Sequence, residues 1–147
     1  MAQPRRKVQK AGVAKWLPGG PSVSSEVDVA RRIAEGLPTS VLSSAVKNGV
    51  LTRDEVTRLV VPRRTLAHRK RRREDLSPDE SDRLARVLTL DAIALRTFDD
   101  DADKARLWLR TPNRALSGEI PLELVGTTAG ARLVEDALLR IAHGVYT

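Results

Sequence analysis

Thr52-Arg-Asp-Glu-Val-Thr-Arg-Leu-Val-Val-Pro-Arg-Arg-Thr-Leu-Ala-His-Arg-Lys-Arg-Arg-Arg73 decides how this chain is read. It opens on a capping box, in which the Thr52 hydroxyl and the Glu55 carboxylate each satisfy a free amide at the start of a helix. Val56, Leu59 and Val60 give that helix its inward side. Pro62 then suits the first position of a second helix, where its missing N–H costs nothing and its φ is already set. The turn between the two is little more than Val61. Two short helices joined so tightly have the sequence form of a helix-turn-helix.

In the second helix Leu66 is the core anchor, which leaves Arg63, Arg64, Thr65, His68 and Arg69 on or near the outer side. The basic run continues through Lys70 and Arg72. Seven of the twelve residues from Pro62 to Arg73 are Lys or Arg. Such density repels itself, and phosphate contacts that release counterions offset that cost, so these residues are expected to bind DNA. A nuclear-localisation-type run or a merely solvated face is the alternative reading of the same charges.

Upstream, Thr39 or Ser40 is expected to N-cap a helix carrying Val41, Leu42, Ala45 and Val46, with Gly49 just past its end. A further helix over Glu26–Glu35 places Val27, Ala30, Ile33 and Ala34 on one side and closes at Gly36, before Leu37-Pro38 breaks the pattern. Residues 1–25 combine basic residues with Pro, Gly and Ser and read as a flexible basic arm, part of which docking could order. Downstream, Ser77-Pro78-Asp79-Glu80 is a second capping box. It starts a helix to about Thr97, with Leu84, Val87, Leu88, Ala92 and Leu95 at core spacing. That stripe is ordinarily core, and in a protein that pairs on two half-sites it could also serve dimerisation.

Asp99, Asp100, Asp101 and Asp103 lack the alternating ligand spacing of a calcium loop and read instead as acids at a helix start. The helix they begin should run to Leu109 and bury Ala105 with Trp108 or Leu109. Arg110–Gly118 is turn-rich, Pro121–Val125 is a short helical piece, and Thr127 or Thr128 caps a last helix to His143. Leu133, Ala137, Leu138 and Ile141 are its apolar positions. Gly144 ends it, leaving Val145, Tyr146 and Thr147 as a tail.

Composition agrees with an all-α class. Aromatics are 3% of 147 residues, so Leu, Val, Ile and Ala must fill the core. Charge is divided unevenly: residues 1–76 hold 17 Lys/Arg against 7 Asp/Glu, and residues 77–147 hold 9 against 12. A polyanion is drawn to the first half only, which implies two surfaces with different partners. There is no Cys, and His68 and His143 have no partners at catalytic or zinc spacing. No phosphate-cradling loop is present either. The expectation is a non-enzyme without metal or cofactor. No apolar run approaches the roughly 20 residues needed to cross a bilayer, so a cytoplasmic protein is expected.

The C-terminal half resembles a known family. Pro112-Asn113, Leu116, Gly118 and Pro121-Leu122, followed by His143-Gly144-Val145-Tyr146, match the pattern of the toxin-binding domain of Xre/MbcA/ParS antitoxins. The resemblance implies an Xre-like helix-turn-helix and dimerisation region over 26–98 and a toxin-binding domain over 99–147. It implies a partner toxin with a RES domain, related in fold to ADP-ribosyltransferases and consuming NAD. The antitoxin would occlude that active site and repress its own operon at operator DNA, as a homodimer within a larger complex. Arg110, Asn113, Arg114 and the tail Gly144, Val145, Tyr146 and Thr147 are the candidate toxin contacts; the alternative is that Tyr146 packs back on its own helix and Asn113 only holds its turn. One departure stands out: such motifs often have Gly in the turn and a small residue in the first helix, where this chain has Val60-Val61 and Thr57. β-branched residues hold a positive-φ turn poorly. A free-standing regulator whose C-terminal domain dimerises or senses a ligand is the competing reading.

Overall fold

The computed structural model describes residues 12–17 and 25–144. Within them the regular elements are helical: α1 Glu26–Glu35, α2 Thr39–Lys47, α3 Arg53–Leu59, α4 Arg63–Arg72, α5 Pro78–Thr97, α6 Ala102–Leu109 and α7 Thr128–Ala142, with 3₁₀ turns at Arg114–Leu116 and Pro121–Gly126. A single antiparallel bridge pairs Asn113 with Glu119.

The caps explain the boundaries. Both capping boxes form as the sequence indicates, Thr52 with Glu55 and Ser77 with Glu80. Ser25, Asp101 and Thr127 cap α1, α6 and α7 through their side chains. Two boundaries move by one residue, both at proline. Pro38, rather than Thr39 or Ser40, is the N-cap of α2, and Pro62 is the N-cap of α4 rather than its first helical residue. Each sits near φ −60° with extended ψ. The φ fixed by the ring is compatible with either position, so proline marks a helix start only to within a residue.

α5 is the spine. Its Leu84, Val87, Leu88, Leu90, Ile93 and Ala94 are buried, together with the polar Glu80, Ser81 and Asp91. It packs against α1, α6, α7 and the Pro121–Gly126 turn. Leu84, Val87 and Leu88 of the expected stripe are thus core, while Ala92 and Leu95 of the same stripe stay partly exposed. Gly36 and Leu37 lock α1 and α2 to its entrance: Leu37 N–H donates to Ser81 Oγ at 2.7 Å, and Leu76 N–H donates to the Leu37 carbonyl at 2.8 Å. Gly36 has φ 112°, and a Cβ there would overlap the Leu76 carbonyl oxygen.

Three expectations about faces change. In α1, Val29 and Ile33 turn toward the core while Val27 is 64% exposed, Ala34 is exposed and Ala30 borders an open groove against α5 and α7, because docking on α5 sets the rotation. In α7, Val134 takes the buried place expected of Leu133. In the stretch read as a flexible arm, Val13, Ala14 and Leu17 are 2%, 3% and 4% exposed and join the core. Gly12 lies so close to Ala92 and Thr89 that a Cβ would press on both, placing this short turn against α5.

Candidate nucleic-acid interface and partner-binding face

α4 buries no residue. It rests on the core through half-buried Leu66 and leaves Arg63, Arg64, His68, Lys70 and Arg72 exposed, with Thr65 partly covered. Arg71, which the sequence reading left out, is exposed beside them. The helix ends at Arg73, whose left-handed φ of 53° closes it.

Arg69 behaves differently. Its Nε lies 2.7 Å from Glu80 Oε1, its side chain is 22% exposed, and it also approaches Glu74. It belongs to the mounting of the helix, tying α4 to the first turn of α5. The Arg72 guanidinium lies 3.1 Å from Glu74 but keeps most of its surface in solvent. Burial works to raise the pKa of Glu80. The amide and hydroxyl of Ser77 and the guanidinium of Arg69 outweigh that burial and hold the carboxyl below the usual carboxylate range.

The turn before α4 resolves the question raised by Val60-Val61. Val60 has φ −119° and ψ −64°, and Val61 is absent from the residues with positive φ, so this turn never enters the region where glycine is preferred. Both valines are buried, at 2% and 1% exposure. From α5, Arg83 forks onto the Val60 carbonyl oxygen, Nη2 donating at 2.8 Å and Nε at 3.0 Å.

The other proposed face lies beyond α5. Arg110, expected to meet a partner, points inward. Its Nε and Nη2 donate to the two carboxylate oxygens of Glu55 at 2.8 and 2.7 Å, Nη2 also reaches the Val50 carbonyl at 3.0 Å, and Nη1 reaches that of Arg106. Four donated hydrogen bonds leave this guanidinium committed to the fold. Glu55 repeats the chemistry of Glu80: burial raises its pKa, and Arg110 with the Thr52 cap overcomes this, leaving it lowered. Three residues on, Arg58 pairs with Glu123 across the surface, and Arg106 pairs with buried Asp91 at 3.5 Å. The helix-turn-helix and the C-terminal elements are thus bolted together along α3 and α5.

Asn113 holds its own turn. Its side chain accepts from Ala115 N–H at 2.8 Å, while its backbone pairs with Glu119 and Gly118. Arg114 is exposed. Gly144, at φ 70°, leads out of α7, and Val145, Tyr146 and Thr147 lie outside the described residues. Leu107 and Leu133, 69% and 55% exposed, went unmarked as site residues. Helical periodicity places Leu133 at the edge of an apolar stripe, and only packing shows which edge is left in solvent. Asp99 and Asp100 take left-handed φ values of 53° and 63° before the Asp101 cap, a conformation Asp tolerates. Among the described residues no three His, Cys, Asp or Glu side chains gather as metal ligands, and no helix is long and apolar enough to cross a membrane.

A basic second helix that keeps most of its cationic side chains in solvent, entered through a tight buried turn, defines a helix-turn-helix protein. Residues 28–88 match the Antitoxin Xre-like helix-turn-helix domain, and residues 94–144 match the Antitoxin Xre/MbcA/ParS C-terminal toxin-binding domain. An Antitoxin Xre of Pseudomonas putida is 37% identical over 84% of this chain and 77% of its own length. Another, from Yersinia enterocolitica, is 30% identical over 91% of both, and a third, from Photorhabdus laumondii, is 28% identical over 98% of this chain and 97% of its own. The chain belongs to the Xre antitoxin family.

Proposed function

We propose that this protein neutralises a RES-domain, NAD-consuming toxin by covering its active site with the C-terminal domain, and represses its own operon by binding operator DNA through α4. The observation that carries the DNA half is the recognition helix itself, which turns Arg63, Arg64, His68, Lys70 and Arg72 to solvent and none of them inward. Thr65 completes the reading face, and Arg69 contributes by holding the helix at its angle.

For the toxin half, support comes from the family match over 94–144 and from Leu107 and Leu133, apolar side chains left exposed on helices that otherwise bury their apolar faces. Such residues serve as anchors when a partner covers them. Arg114 and the residues that follow α7, Gly144, Val145, Tyr146 and Thr147, complete the contact, with Tyr146 as an aromatic plug. Arg110 and Asn113 support this face from beneath. Pairing on two half-sites makes the repressor a homodimer.

Co-expression with a RES-domain toxin, sought in the reading frame adjacent to this one, tests the proposal. Rescue of growth by this chain is the expected result, and failure of rescue by a soluble, folded chain rejects it.

A further inference from the structure

The buried turn between α3 and α4 carries an obligation that its sequence does not meet locally. Helix α3 ends with unpaired carbonyls, as every helix does. The amides of Val60 and Val61 both turn back to the Val56 carbonyl, and the next residue, Pro62, has no N–H to offer. The Val60 carbonyl is enclosed with a residue that is 2% exposed, so leaving it without a donor would be costly.

Arg83 supplies the donors from 23 residues away, both of them on a single planar guanidinium. A fork of this kind fixes direction as well as distance. The base of Arg83 sits one turn into α5, beside the Glu80 that holds Arg69 of α4 and the Ser81 that holds Leu37. One end of α5 therefore grips the turn and the recognition helix together.

We infer that Arg83 is a positioning residue for DNA reading: by clamping the Val60 carbonyl it fixes the turn and sets the angle at which α4 enters the groove. Its guanidinium touches no DNA in this account. The consequence is a particular division of effects. Loss of the clamp lowers affinity for the specific site, where α4 must lie in register, and leaves attraction to any duplex unchanged, because the exposed arginines of α4 still release the same counterions.

The inference rests on the reading of α4 as a DNA-recognition helix, and its test separates the two. The wild-type chain is used to select a preferred sequence from a random pool of duplexes. Binding to that duplex and to a scrambled one is then measured against salt for wild type, Arg83→Met and Arg83→Lys, each checked for folding by thermal unfolding. Arg83→Lys keeps the charge and loses the fork; should Arg83→Met not fold, it carries the test alone. The expected result is a drop on the order of tenfold in specific affinity for both variants, comparable to one mismatched base pair. Scrambled-duplex affinity and the salt slope stay as in wild type.

Retained affinity in Arg83→Lys, or a salt slope reduced in Arg83→Met, makes Arg83 a phosphate contact and overturns the inference. An unchanged ratio of specific to scrambled binding in folded variants reduces Arg83 to a stability role and also overturns it. A wild-type chain that selects no sequence overturns the inference together with the DNA reading on which it rests.

Discussion

Glu55 and Glu80 do two jobs each. Both close a capping box, and both receive an arginine from another element, Arg110 and Arg69. Because their folded pKa values are lowered, the stability they contribute is complete above the ordinary glutamate value of about 4.3 and is lost as pH falls through the folded value. Glu55→Gln and Glu80→Gln should therefore flatten the acid limb of a stability-versus-pH curve, measured by urea unfolding between about pH 3 and 7. An acid limb as steep as that of wild type contradicts this assignment. Removing the other partner leaves the buried carboxylate without its counter-charge and with only the Thr52 amide as donor, so Arg110→Ala should cost about 2 kcal/mol, less than a fully buried pair because Arg110 keeps 29% of its side-chain surface in solvent. The sequence pointed to Arg110 as a surface contact because a lone arginine in a polar loop looks free; its acceptor, Glu55, lies 55 residues away and no local pattern links them.

At the scale of elements, helix starts were legible because their signals are local. Thr52 with Glu55, Ser77 with Glu80, and Thr127 all cap where short-range chemistry says they should. Faces were less legible, since Val27 and Leu133 sit at the edges of apolar stripes and only docking on α5 decides which edge is covered. Gly130 in the first turn of α7 shows the same dependence. In a free helix Ala is better than Gly by about 1 kcal/mol. Here a Cβ would overlap the Leu124 carbonyl oxygen, so Gly130→Ala should instead destabilise by about 2 kcal/mol, read as a lowered Tm. For α4, Arg63→Ala with Arg64→Ala should weaken operator binding and reduce the salt slope by about 2, since each phosphate contact contributes roughly 0.9. The same double variant should bind toxin as wild type does, checked by co-purification.

Across the whole molecule, the uneven charge implies two surfaces with different partners, and the structure mounts both on one core. Arg110 with Glu55, Arg58 with Glu123 and Arg86 with the Gly126 carbonyl cross between the segments matched by the two family models. Val13, Ala14 and Leu17 extend the same core into a stretch outside both models. Composition cannot reveal such joins, because it reports charge by segment and says nothing of which buried carboxylate meets which guanidinium. A single shared core also means that the C-terminal domain presents its outer face from a rigid mount, as a cover over another protein's active site requires. The central claim is that this outer face and the residues after α7 silence a toxin. Growth of cells expressing the proposed partner, a RES-domain toxin, with the full chain or with a chain lacking residues 144–147, tests it most directly. Rescue by the full chain and none by the truncated one, both being folded, is the expected result; equal rescue by the two would contradict a toxin-silencing tail.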